Sequence, residues 1–279
     1  MQASSLRVIT KNKKMDYKSL TIQVIALAKE TGKFFLDEIN KVKASDIEVK
    51  GLHDFVSYVD KTAEERIVKK LSEILPESGF ITEEQTATHR GEHFNWIVDP
   101  LDGTTNFLHH IPLFSVSIAL MEDDKIVVGV VYEPNLDECF YAWKGGKAYL
   151  NGNEIHVSEQ KELKNTLLAT GFPYNDFGRL PGYIELFTWF ARNTSGLRRL
   201  GSAAVDLAYT ACGRVEGFYE YGLHSWDVAA GTFIVQQAGG TVTDFRGGGD
   251  YIFGAELLAS NTLLHKPLLD AVKSHFGNP

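Results

Sequence analysis

Apolar residues recur at helical spacing over residues 16–42, where Leu20, Val24, Leu27, Ala28, Phe34, Phe35 and Ile39 form one stripe with Lys and Glu between them. The pattern predicts an amphipathic helix, and Gly32 interrupts it without ending it. Residues 47–50 read as extended. After a turn at 51–54, residues 55–59 alternate like a strand that Asp60 closes. Residues 61–75 predict a second amphipathic helix through Ala63, Ile67, Val68, Leu71 and Leu75, stopped at Pro76. A short strand at 79–82 ends in Glu83 and Glu84, and a polar loop leads on to residues 96–107. That stretch starts as an apolar strand and breaks into Asp99-Pro100-Leu101-Asp102-Gly103-Thr104-Thr105. Residues 113–121 and 126–132, joined by a polar turn, predict an antiparallel pair, followed by strands at 139–142 and 148–150.

From residue 167 the rhythm changes. Strands at 167–170, 197–200, 215–219, 241–243 and 257–260 are interleaved with helices at 182–191, 202–212, 226–238 and 263–275. Helices followed by a largely antiparallel sheet, then an alternating layer, predict an α/β (α+β) protein. The expected organisation is a polar extension over 1–15, an N-terminal α+β half over 16–155 and a C-terminal α/β half over 156–279. No repeat or Pro/Ser-rich linker separates the halves, so they are expected to pack as one unit.

Composition narrows the function. The chain has 279 residues, is 44% hydrophobic and carries a net charge of -8. An acidic balance argues against a general nucleic-acid or anionic-membrane binder, which needs clustered Lys and Arg. No apolar run reaches transmembrane length, and Lys11, Lys13 and Lys14 stand where a signal core would lie. The only two cysteines, Cys139 and Cys212, read as small buried hydrophobes, and a cytoplasmic location is expected.

Acids mark the ends of elements: Asp60, Glu83, Asp99 with Asp102, and Asp227. Each alone is an ordinary turn former or helix cap. Asp99 and Asp102 gain meaning from the residues next to them in the chain. Gly103, Thr104 and Thr105 add N–H groups and hydroxyls at a helix start, the parts that hold hard cations and a phosphate together. The spacing does not fit a calcium loop, no phosphate-binding P-loop is present, and Gly247-Gly248-Gly249 reads as a turn. Asp227 opens a helix whose Ala229, Ala230 and Gly231 permit close approach of another element. Adjacent His109 and His110 do not share a helical face and read as loop, and His224 reads as a positioned neighbour of the site. Lys50, Arg198 and Arg199 read as surface charge.

The segments Asp99-Pro100-Leu101-Asp102-Gly103-Thr104-Thr105-Asn106-Phe107 and Trp226-Asp227-Val228-Ala229-Ala230-Gly231 resemble the inositol monophosphatase family. Residues 51–60 and Thr82-Glu83-Glu84 extend the resemblance from about residue 16 to the C-terminus. It implies a layered αβαβα sandwich and Mg²⁺-dependent, lithium-sensitive hydrolysis of a small phosphate monoester by a metal-activated water. It assigns Glu83, Asp99 and the Leu101 carbonyl to a first metal and Asp99, Asp102 and Asp227 to a second. Glu83, with Asp60 acting through water, would support a third. Glu83 and Thr104, with Asp60 behind Thr104, would orient the water, and Gly103 and Thr104 would bind phosphate. Ala203 and Glu220 would contact a polyol, with Asp102 and Asp227 nearby. The implied substrate is myo-inositol 1-phosphate, since Thr105-Asn106-Phe107 departs from the Lys-Glu-Phe variant of nucleotide 3′-phosphatases. Histidinol phosphate, fructose-bisphosphate and a 3′-phosphonucleotide remain alternatives. The resemblance also implies a homodimer. A non-enzymatic alternative is a regulatory binding protein of a transcription complex.

Overall fold

The computed structural model describes residues 15–51, 54–173 and 176–276. The expected N-terminal extension, apart from Met15, and the middle of the turn at 51–54 lie outside the described residues.

The first helix, α1 (Tyr17–Glu38), is capped by Asp16, whose carboxylate accepts the Ser19 N–H at 3.1 Å. It runs through Gly32 and buries Leu20, Val24, Leu27, Ala28 and Phe35. A hairpin of β1 (Ile47–Gly51) and β2 (Asp54–Ser57) precedes α2 (Tyr58–Ile74). Here the alternation over 55–59 misleads. Ser57 and Asp60 form a capping box, with the Ser57 N–H and Oγ both donating to Asp60 Oδ2 at 2.8 Å. The helix therefore begins before Asp60, which sits in its first turn and does not close a strand.

The chain continues as β3 (Gly79–Thr82), β4 (Phe94–Asp102), the short α3 (Thr104–Leu108), β5 (Ser115–Glu122), β6 (Lys125–Glu133), β7 (Glu138–Trp143), β8 (Ala148–Leu150) and β9 (Asn153–Glu154). These seven strands form one sheet in chain order, antiparallel except for the β3–β4 pair. Next come β10 (Leu167–Thr170), α4 (Leu180–Asn193), β11 (Gly196–Arg198), α5 (Ala203–Ala211), β12 (Gly217–Tyr221), α6 (Ser225–Gln237), β13 (Gly240–Thr243), β14 (Glu256–Asn261) and α7 (Thr262–Phe276). Their five strands form a mixed sheet in the order β11-β10-β12-β14-β13, parallel among β11, β10 and β12.

Three cores separate the layers. One fills the space between α1, α2 and the seven-stranded sheet. A second surrounds α5 and α6, which lie between the two sheets, and a third joins the five-stranded sheet to α4 and α7. The result is the αβαβα sandwich expected from the resemblance. α6 is buried on all sides over residues 228–235, as a helix enclosed by two sheets must be. A Cβ on its Gly231 would stand 2.6 Å from Leu207 Cβ of α5, so the small-residue segment does permit close packing. Because α6 rests on β4, β5 and β6 while its own chain neighbours belong to the other sheet, the two sheets share one interior.

Candidate active site

A cavity of about 410 Å³ opens where β3 and β4 end opposite the starts of α5 and α6. Its position follows from the strand geometry. Asp99 pairs with Ser117, but Asp102 pairs with Ser115, so β4 spends three steps where β5 spends two. On a regular strand, residues three apart face opposite sides. The bulge at Pro100 and Leu101 cancels that alternation and brings Asp99 and Asp102 to the same cavity wall. The Asp99 Oδ1 accepts the Leu101 N–H at 3.0 Å, which fixes the turn.

Glu83, Asp99, Leu101, Asp102, Gly103, Thr104, Ala203, Glu220 and Asp227 all line this cavity. Asp60 does not. It stands behind Thr104, whose Oγ lies 3.0 Å from Asp60 Oδ1 and 2.9 Å from the Leu101 carbonyl. Asp99 stands close enough to Glu83 and Asp227 for their charges to act on it. Asp102 is held differently. Its Oδ2 accepts the Ser202 hydroxyl at 2.6 Å and the Ala204 N–H at 2.7 Å, at the N-terminal end of α5. Asp227 caps α6 in turn, accepting the His224 N–H at 2.6 Å.

The electrostatics of the site are strained in one direction. Burial, then repulsion from Asp227 and Glu84, holds the Glu83 carboxyl well above the carboxylate range. Burial and the charges of Glu83, Asp102 and Asp227 do the same to Asp99. Burial lifts Asp102 to about 6 against the pull of Ser202, Ala204, Ala203 and the Arg199 charge. Burial and the Asp102 charge lift Asp227 to about 7, opposed by the His224 N–H. Asp60 is raised by burial and lowered by its bonds from Ser57 and Thr104. Buried oxygen donors that resist ionisation side by side are a donor set that a hard divalent cation relieves. Among the described residues no three carboxylate, His or Cys side chains converge on one point. The acids line one cavity without closing on a single point.

On the far wall Glu220 is buried against Gly171, where any Cβ would fall about 2.0 Å from its carboxyl group. Burial raises Glu220 well above its ordinary range, and the Arg199 charge pulls it back. Arg199 lines the cavity, which corrects its reading as surface charge; Arg198, its neighbour, is exposed. Adjacent residues of an extended segment point to opposite sides, and only one of the pair reaches the interior. Asp206 was not anticipated. It is buried in the first turn of α5 and lines the cavity, and its Oδ1 has no hydrogen-bond partner among the described residues. The available signal is an acid one turn after Ser202 in a helix built mostly of Ala, Val and Leu. His109 and His110 are exposed beyond α3. His224 stands at the cavity rim, stacked on Trp226 with ring centroids 4.6 Å apart. The Lys50 side chain lies outside the described residues.

Known proteins resemble this chain in sequence and in fold. Residues 16–276 match the sequence pattern of the inositol monophosphatase family. The chain is 41% identical over 251 residues to the inositol-1-monophosphatase of Mesorhizobium japonicum, covering 90% of this chain and 94% of that one. It is 41% identical over 261 residues to the Nus factor SuhB of Salmonella typhimurium, covering 93% and 97%. The crystal structure of the extragenic suppressor protein suhB from Bartonella henselae superposes with a TM-score of 0.88 at 39% identity, covering 91% of this chain and 98% of that one.

Proposed function

The chain belongs to the inositol monophosphatase family and is a metal-dependent phosphoric monoester hydrolase acting on a small phosphorylated compound; we propose that this compound is myo-inositol 1-phosphate and that the metal is Mg²⁺, two or three ions per site. The observation that carries the reading is the meeting of Glu83, Asp99, Asp102 and Asp227 on one side of a cavity whose opposite side is the buried Glu220.

In this reading Glu83, Asp99, Asp102, Asp227 and the Leu101 carbonyl hold the ions. When bound, Mg²⁺ neutralises the phosphate oxygens and lowers the pKa of water. The residues of the chain do the rest. Gly103 and Thr104 present backbone N–H groups to the phosphate. The Thr104 hydroxyl passes its own hydrogen bond back to Asp60, which leaves its oxygen turned to accept one from the attacking water. Glu83 takes the proton of that water as the new P–O bond forms in line with the breaking ester bond. The leaving alkoxide recovers a proton from a water held by Asp227, and the proton that Glu83 took neutralises the hydroxide left there, which returns both groups to their starting state. Glu220 and the backbone at Ala203 accept and donate hydrogen bonds to the ring hydroxyls.

The test is release of inorganic phosphate from inositol 1-phosphate, histidinol phosphate, fructose-bisphosphate and a 3′-phosphonucleotide, each with and without Mg²⁺. Preference for inositol 1-phosphate, and inhibition by Li⁺, are the expected results. A preference for another ester overturns the substrate, and activity in EDTA overturns the metal. The same reading includes a homodimer, checked by light scattering, and a cytoplasmic location, checked by cell fractionation. No helix among the described residues is long and apolar enough to cross a membrane. The Salmonella relative carries the name of a Nus factor. A purely regulatory role is not favoured here, because such a role gives no account of buried acids that oppose one another around a cavity.

A further inference from the structure

α2 carries two buried acids one helical turn apart, and each holds a different part of the cavity wall. Asp60 receives the Thr104 hydroxyl. Glu64, fully buried, reaches the turn after β3. Its Oε2 accepts the Glu84 N–H at 2.7 Å, and its Oε1 accepts both the N–H and the Oγ of Thr86 at 2.8 Å. Between those two amides lies Gln85, a cavity-lining residue with φ of +56°. Such a φ is uncommon outside glycine and persists where the surroundings impose it. Amides on either side of a left-handed residue form a concave grip for an anion, and the Glu64 carboxylate fills this one. On the other side of the turn, the Glu83 N–H donates to the Val98 carbonyl of β4 at 3.3 Å. Glu83 is thus clamped between a strand and the turn that Glu64 moulds.

We propose that Glu64 is a positioning residue for the cation site: it shapes the turn at 84–86 and so sets the direction in which Glu83 enters the cavity. The proposal rests on the reading of Glu83 as a metal ligand. Glu64 does not line the cavity. Its loss is therefore expected to weaken cation binding and to leave the chemical step intact once the site is filled. Partners that orient a ligand from outside its shell are typically worth about 10–100-fold in metal affinity.

E64Q is the variant of choice, since glutamine keeps one acceptor oxygen and replaces the other with a donor that an N–H cannot use. In the metal-free protein, amide exchange at Glu84 and Thr86 is expected to accelerate about 10-fold, with α2 and β4 unchanged. The Mg²⁺ dissociation constant from calorimetry is expected to rise about 10-fold, while kcat at saturating Mg²⁺ stays within about 3-fold of wild type. T86A removes one of the three bonds and keeps the buried acid on both amides; it moves the same readouts the same way by a smaller factor, and it carries the comparison if E64Q does not fold. Unchanged Mg²⁺ affinity in a folded variant whose turn exchanges faster overturns the proposal. So does a loss of kcat that saturating Mg²⁺ does not restore. A wild-type protein that binds no Mg²⁺ overturns the metal reading and this proposal with it, and the wild-type titration reveals that before any variant is compared.

Discussion

Asp102 is tied to Ser202, one hundred residues later in the chain, by a 2.6 Å hydrogen bond from the serine hydroxyl. Ser202 is also the N-cap of α5 and receives the Val205 N–H at 3.3 Å. One hydroxyl therefore starts a helix of the second half and fixes an acid of the first. Ser202→Ala is expected to lose the cap and leave Asp102 with fewer donors, at a cost of about 1–2 kcal/mol of stability. Urea denaturation checks the magnitude. A variant as stable as wild type shows that the bond contributes nothing net.

Asp102→Asn tests the acid itself. Asparagine preserves the shape and can still accept from Ser202 and Ala204 through its carbonyl, so the fold and its circular dichroism are expected to survive. On the proposed reading of Asp102 as a metal ligand the charge that draws the cation is gone, and turnover is expected to fall by about 10³-fold or more. Wild-type activity of the variant with Mg²⁺ removes Asp102 from the metal site.

How much of the site is legible in the sequence depends on where the chemistry is concentrated. Asp99, Asp102 and Gly103 sit in one short run, and Asp227 opens a mostly apolar helix, so they stand out as candidates without a structure. The bulge that makes Asp99 and Asp102 face the same way does not, because it is defined by the register against Ser115 and Ser117. Asp60 shows local competition: alternation over 55–59 favours a strand, but the Ser57–Asp60 capping box wins and moves the acid into a helix. Arg199 and Asp206 needed the tertiary fold. A basic pair reads as solvated, and a single acid in a helix reads as its exposed side, until the opposite wall of the cavity is known.

The crowded acids make a prediction about pH. Asp102 and Asp227 have folded values of about 6 and 7, and Glu83 and Asp99 are raised as well. Between the ordinary carboxylate range near 4 and these values, the folded state binds more protons than the unfolded chain. Stability of the metal-free protein is therefore present at low pH and lost as pH rises through about 6–7. Mg²⁺ competes with those protons, so its affinity is expected to rise over the same range and its binding to release protons. Melting curves in EDTA and in Mg²⁺ across the range from mildly acidic to mildly alkaline pH check both signs: the EDTA curve is expected to fall and the gap between the two to widen. A gap independent of pH places the cation away from these acids.

Asp206 offers the opposite kind of test, a variant expected to gain stability. Its Oδ1 has no hydrogen-bond partner among the described residues, and its side chain is buried. Burial first, then the charges of Glu220 and Asp102, hold its carboxyl well above the usual range, with Arg199 opposing. An acid raised in this way keeps its full stability only at pH of about 4 or below, where the unfolded chain is protonated as well, and loses it as pH rises to its folded value. Asp206→Asn has nearly the same shape and no charge to bury. At alkaline pH it is expected to be more stable than wild type by about 1–3 kcal/mol, and at pH of about 4 or below, where the unfolded chain is protonated too, by little or nothing. Chemical denaturation at the two pH values, in EDTA, measures the difference. A variant less stable than wild type at alkaline pH reveals that the Arg199 charge outweighs the burial of the acid, and that Asp206 belongs to a paired charge network on the cavity wall.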